Sequence, residues 1–157
     1  MTRHVIVAKV DNVPGVVSRI SGLFTRRGYN IESFVTGVTG DESVYQLTIS
    51  LNGTREEVDL LIRQLGRITE VIDIFRAEPE NSITKELLFI KLKGGTGNGL
   101  PIEKAIAGLD AKIVSKTESA TILQAVGTSS ELDRLLVNLR GADVLEIVRS
   151  GALAVIT

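Results

Sequence analysis

The side chains able to do chemistry are few, and their spacing narrows the possibilities further. His4 is the only histidine in 157 residues, and cysteine is absent. A histidine-based metal site would need carboxylates at ligand spacing, which the sequence does not show, so no metal site is expected and His4 reads as a surface or strand-edge side chain. Thiol chemistry is excluded by composition, and hydrolysis is disfavoured by a lone terminal histidine and by the lack of a Gly-x-Ser-x-Gly elbow. The run Gly94-Gly95-Thr96-Gly97-Asn98-Gly99 stands between an expected strand and an expected helix, where a phosphate cradle belongs. It fits neither phosphate motif, because Leu100 is the third residue after Gly97 and the Gly-Lys-Ser/Thr ending is missing. A surface loop is the expectation there. Glu56, Glu57, Glu78 and Glu80 read as helix-start and linker acids. No residue is assigned a catalytic role, and the chain is not expected to be an enzyme.

The turn Asp11-Asn12-Val13-Pro14-Gly15 differs, because it opens a helix. The first N–H groups of a helix lack intrahelical acceptors, so those of Gly15, Val16 and Val17 can receive a carboxylate. Gly15 has no side chain to block the approach, and the Asn12 amide both donates and accepts. An α-amino acid carries matching groups. The same residues also read as plain helix-entry chemistry, with Asn12 as N-cap and Pro14 at the first helical position.

The elements that would carry this turn follow from periodicity. Val5–Val10 is a strand-like run. Val16, Val17, Ile20, Leu23 and Phe24 share a helical face that ends at Gly28, with Arg26 and Arg27 suiting the negative end of the dipole. Ile31–Val38 and Val44–Leu51 form an antiparallel pair across the loop 39–43. Thr54 and Glu57 have capping-box spacing ahead of Val58, Leu61, Ile62 and Leu65, Gly66 closes that helix, and Ile68–Phe75 supplies a fourth strand. The order is βαββαβ. After a polar segment, 77–82, the plan repeats: a strand over Leu87–Lys93, a helix over 101–109, strands over Ala111–Lys116 and Ala120–Val126, and a last strand over Asp143–Val148. Gly127-Thr128-Ser129-Ser130-Glu131-Leu132-Asp133 aligns with Gly53-Thr54-Arg55-Glu56-Glu57-Val58-Asp59 at a fixed offset, and Leu135, Leu136 and Leu139 fall on Leu61, Ile62 and Leu65. Leu145-Glu146-Ile147 echoes Ile72-Asp73-Ile74 one residue out of phase. The expectation is an α+β fold of two ferredoxin-like βαββαβ domains in tandem, with antiparallel sheets and helices on one face. Boundaries are placed at 1–77, a linker over 78–84, and 85–157.

Composition bounds the partners. Hydrophobic residues make up 43% and charged residues 24%, as in a soluble globular chain. With 18 basic and 19 acidic side chains there is no net field to attract nucleic acid or an anionic membrane surface. No apolar run approaches the roughly 20 residues of a spanning helix. A strand begins almost at the first residue, so a cytoplasmic location is expected.

The string Asp11-Asn12-Val13-Pro14-Gly15-Val16-Val17-Ser18-Arg19-Ile20-Ser21-Gly22-Leu23-Phe24, continued by Arg27-Gly28-Tyr29-Asn30-Ile31-Glu32-Ser33, resembles the ACT domain of acetolactate synthase small (regulatory) subunits. Gly127-Thr128-Ser129, Leu132-Asp133 and Glu146-Ile147-Val148-Arg149-Ser150-Gly151 resemble that family's C-terminal domain. The resemblance covers nearly the whole chain. It implies a non-catalytic subunit that activates a catalytic large subunit and confers feedback inhibition by valine in branched-chain amino acid biosynthesis. Thiamine diphosphate, magnesium and FAD would sit on that partner, with no cofactor on this chain. It also implies a homodimer whose effector site takes Asn12, Gly15, Val16 and Val17 from one subunit and Asn30 and Ile31 from its neighbour. Gln46 stands where the family often has Arg, and Gly94–Leu100 replaces a more charged entry into the second domain's first helix.

Two other readings compete. A stand-alone ACT-domain amino-acid sensor would serve another enzyme or a transcription factor. A single-strand RNA binder of the RRM type shares the βαββαβ order but needs stacking aromatics and basic strands. Val44–Leu51 offers only Tyr45 and no basic residue.

Overall fold

Strand alternation decides which face of each sheet is buried. A computed structural model describes residues 2–94 and 101–157, and the chain divides into two units, Met1–Thr84 with Gly151–Thr157, and Lys85–Ser150. In the first, β1 (Thr2–Asp11), α1 (Val16–Arg27), β2 (Ile31–Val38), β3 (Val44–Gly53), α2 (Arg55–Leu65) and β4 (Val71–Ala77) follow in order. They form an antiparallel sheet ordered β2-β3-β1-β4, with β2 on one edge. Ile6, Ala8 and Val10 of β1 and Leu47, Ile49 and Leu51 of β3 point to one face, where Val16, Ile20 and Phe24 of α1 and Val58, Leu61 and Leu65 of α2 cover them. Burying each large apolar side chain contributes about 1.5–3 kcal/mol.

The helix ends match their residues. Gly28 adopts φ 71° and donates to the carbonyls of Phe24 and Thr25, a left-handed C-cap. Thr54 and Glu57 form a reciprocal capping box at α2. Strand β4 begins three residues later than the expected Ile68, because the chain first turns: the Ile68 N–H donates to Leu65 O at 3.0 Å and the Val71 N–H to Ile68 O at 3.0 Å.

In the second unit, which takes β5 (Ser82–Lys93) from Lys85 onward, β5, α3 (Ile102–Ala105), β6 (Asp110–Lys116), β7 (Ala120–Gly127), α4 (Ser129–Asn138) and β8 (Val144–Arg149) repeat the plan. The sheet order is β6-β7-β5-β8, and a ninth strand, β9 (Leu153–Ile156), pairs with β5. Leu88, Ile90, Leu92, Leu123, Leu132, Leu135 and Leu139 make its core. The second capping box, Thr128 with Glu131, is present. The duplication extends to an ion pair absent from the sequence alignment. Asp59 of α2 pairs with Arg76 of β4, and Asp133 of α4 pairs with Arg149 of β8 at 2.7 Å. Their separations of 17 and 16 residues account for the one-residue phase difference.

Three features depart from the sequence reading. Strand β5 starts at Ser82, inside the segment expected as a linker. Helix α3 is four residues long, not the nine of 101–109, since Gly108 turns the chain at φ 73° and the Leu109 N–H closes onto Ile106 O. Strand β9 had no counterpart in the periodicity, and Gly151–Thr157 groups with the first unit although the sequence boundary placed it in the second. Of the glycine-rich loop, Gly94 donates to Ser119 O at 2.7 Å; residues 95–100 lie outside the described residues. Among the described residues no helix is long and apolar enough to cross a membrane.

Candidate functional site

The entry to α1 is built by three backbone anchors. The Asp11 N–H donates to Glu70 O and the Asn12 N–H to Ser43 O, both at 2.8 Å, and the Val13 N–H closes a tight turn on Asp11 O at 2.9 Å. The N-cap is Gly15, at φ 86° and with no side-chain cap bond. A left-handed conformation favours glycine, and no side chain then competes for the first N–H groups. Asn12 therefore does not cap the helix. Its Nδ2 donates to Glu42 O at 2.8 Å, tying the turn to the β2–β3 loop. That loop is itself braced: the Ser43 hydroxyl and backbone N–H donate to the Asp41 carboxylate at 2.6 and 2.9 Å and hold its pKa below the usual carboxylate range.

Asn12, Gly15, Val16 and Val17 thus meet at one end of α1. Their contributions differ. Val16 is 2% exposed and belongs to the core, and its N–H reaches Val13 O at 3.4 Å. Val17 is half-buried, and Asn12 and Gly15 are exposed. One residue escaped the sequence reading. A Cβ built on Gly15 would lie 3.5 Å from a guanidinium nitrogen of Arg19, which pairs with Glu70. Arg19 follows Gly15 by one helical turn, a spacing that could have flagged it. Backbone donors, the positive end of the helix dipole and an arginine together suit a carboxylate.

Asn30 and Ile31 lie at the other end of α1, which at 1.5 Å per residue is about 18 Å long. Within one chain the two sets do not meet. Asn30 lines a pocket of about 450 Å³ with Arg27, Gly28, Tyr29, Asn52 and Glu57. The Tyr29 hydroxyl donates to Glu57 O at 3.1 Å. Ile31 is half-buried against the first core. Between Ile31 and Ser33 the β2–β3 register slips, leaving Glu32 as the extra residue of a bulge. Arg3 pairs with Glu32 at 2.7 Å and Asn52 donates to its other oxygen, fixing the bulge that aims Asn30 and Ile31.

Among the described residues the second unit shows no equivalent entry, and α3, with four residues, is too short to present a dipole. Among the described residues no group of three or more His, Cys, Asp or Glu is placed to hold a metal ion.

Two βαββαβ units in tandem, each with helices on one sheet face, define a ferredoxin-like architecture of the ACT type. Residues 6–73 match the family described as AHAS small subunit-like ACT domain, and residues 85–157 match the family described as the small subunit of acetolactate synthase. The acetolactate synthase small subunit of Mycolicibacterium smegmatis is 32% identical over 152 residues, covering 97% of this chain and 89% of that one. Its counterpart in Mycobacterium leprae is 30% identical over 151 residues, covering 96% and 89%. The crystal structure of the acetolactate synthase small subunit from Thermotoga maritima superposes with a TM-score of 0.84 at 25% identity, covering 100% of this chain and 98% of that one. The chain belongs to the acetolactate synthase small-subunit family.

Proposed function

We propose that this chain is the non-catalytic regulatory subunit of an acetolactate synthase, that it binds and activates the catalytic large subunit in the cytoplasm, and that valine inhibits through it. Thiamine diphosphate, magnesium and FAD belong to the catalytic partner in this reading. The observation that carries it is kinship over 97% of the chain combined with an exposed helix entry free of any side-chain cap. There the valine carboxylate meets the N–H groups at Gly15 and Val17, the guanidinium of Arg19, and the Val16 N–H in exchange for its long bond to Val13 O. Asn12 spends an N–H on Glu42, so its amide oxygen is the group that receives the ligand ammonium. Asn30 and Ile31 close the site from a second copy, since their own copy holds them a helix length away. The domain roles follow: 1–77 binds effector and dimerises, and 85–157 completes the regulatory subunit. The test is reconstitution of the catalytic subunit with and without this chain across a valine series, using wild type and Asn12→Ala. Stimulation that valine reverses, with a weakened valine response in Asn12→Ala, is expected. No stimulation by wild type overturns the regulatory reading; unchanged valine inhibition in Asn12→Ala overturns the site.

A further inference from the structure

The last seven residues are packed in a way the effector site alone does not require. Gly151 follows β8 at φ 82°, and a Cβ there would lie 2.6 Å from the Ser33 Cβ, 3.0 Å from the Ser33 Oγ and 3.2 Å from a Val35 methyl. Only a glycine lets the chain press this closely on β2. The segment is then fastened. The Ala152 N–H donates to Ser33 Oγ at 3.4 Å, Gln46 Nε2 of β3 donates to Ala154 O at 2.8 Å, and the Thr157 N–H donates to Asn81 O at 2.8 Å. Ala152 and Ala154 are 0% and 1% exposed, whereas Leu153 and Val155 are outside, so small side chains face the sheet.

The grip falls where the effector reading places its most sensitive strand. Ser33 is the first residue after the bulge that aims Asn30 and Ile31. Glu32 of that bulge is held from one side by Arg3 and Asn52, and Ser33 is held by the C-terminal segment. Ser33 and Val35 are register partners of Ser50 and Thr48, whose hydroxyls are buried and lack a hydrogen-bond partner among the described residues. Each such group carries a desolvation penalty of about 1–3 kcal/mol, so this face gains solvation when the cover lifts. These bonds and the pairing of β9 with β5 hold the segment over that face.

We propose that Gly151–Thr157 is a strap that positions the effector-binding end of β2 and links effector occupancy to β8, with Gly151, Ser33 and Gln46 as its positioning residues. This rests on the reading of Asn30 and Ile31 as effector contacts. A ligand that draws on Asn30 and Ile31 loads the bulge, the bulge loads Ser33, and the strap carries the change one residue further into the chain leaving β8. The strap is covalently continuous with β8, so no separate wire is needed.

The experiment is hydrogen exchange on the full-length chain with and without valine, with calorimetry on the same samples. In wild type, saturating valine is expected to slow exchange both in residues 31–38 and in residues 144–149, by about fivefold or more in each, the lower end of ordinary coupling. Gly151→Val and the milder Gln46→Ala, which leaves the tight approach intact, are expected to bind valine and protect 31–38 while losing the response at 144–149. An equal response at 144–149 in a folded Gln46→Ala protein overturns the strap. So does wild type that protects 31–38 alone. Valine that produces neither heat nor protection anywhere in wild type overturns the effector reading and the strap with it, and silence at 31–38 distinguishes that failure from the others.

Discussion

Gly15 separates two roles that a single residue rarely divides so cleanly, backbone geometry and ligand access. Its φ of 86° charges any replacement a conformational penalty of about 1–2 kcal/mol, while its exposure leaves the helix entry open. Gly15→Ala therefore reports the backbone penalty alone, and Gly15→Asp adds a carboxylate where the ligand's own should sit. Gly15→Asp is expected to weaken valine binding by at least about tenfold, or ~1.4 kcal/mol, beyond Gly15→Ala in calorimetric titration. Equal losses in the two variants would show that the helix entry is not the anion site. At Glu131 the chemistry is that of stability. The Thr128 backbone N–H, the Thr128 hydroxyl and Lys85 hold the Glu131 carboxyl below its ordinary pKa. A lowered folded-state pKa contributes stability above the unfolded value and loses it as pH falls through the folded one. Urea unfolding of the second unit is thus expected to become easier on acidification through the carboxylate range, and less steeply so in Glu131→Gln.

At the scale of elements, the two units solve one problem twice with the same residues. A threonine and a glutamate cap the second helix of each, and an aspartate two residues after the glutamate ties that helix to an arginine on the last strand of its βαββαβ unit. Burial works against the charge of Arg149, but Asp133 and Glu86 more than offset it and raise its pKa. Glu86 carries a side chain only 1% exposed and lies 2.9 Å from Arg149. Arg149→Met is expected to destabilise the second unit by about 2 kcal/mol, and Thr128→Ala by about 1 kcal/mol, both read from denaturant midpoints at unchanged slope. A smaller loss for Arg149→Met than for Thr128→Ala would mean the ion pair adds nothing to the cap.

At the scale of the whole molecule, the proposed effector site is incomplete in one chain. Asn12 and Asn30 flank a helix about 18 Å long, and β2, which begins at Ile31, is an edge strand whose outer groups need a partner. In the proposed dimer, pairing with a second copy would satisfy both. Sedimentation at micromolar concentration is expected to give twice the 16.9 kDa chain mass, with effector strengthening the association. A monomer that persists with valine present would remove the shared site.

Much of this protein is determined by its sequence alone, for local reasons. The strand Ile31–Val38 was readable to the residue, and both capping boxes were visible because a Thr and a Glu three apart satisfy each other without help from elsewhere. The turn into a helix at Val16 was legible because Gly15 and Pro14 mark a helix entry and the orphan N–H groups arise from the helix itself. What tertiary structure decided was everything that depends on residues distant in the chain. Asn12 as a loop anchor needs Glu42, and Arg19 beside Gly15 is held by Glu70, 51 positions on. The strap needs Ser33, 119 positions from Ala152. Strand β9 gave no periodic signal because four residues are too few to show a period, and its small side chains are explained only by the sheet they press against.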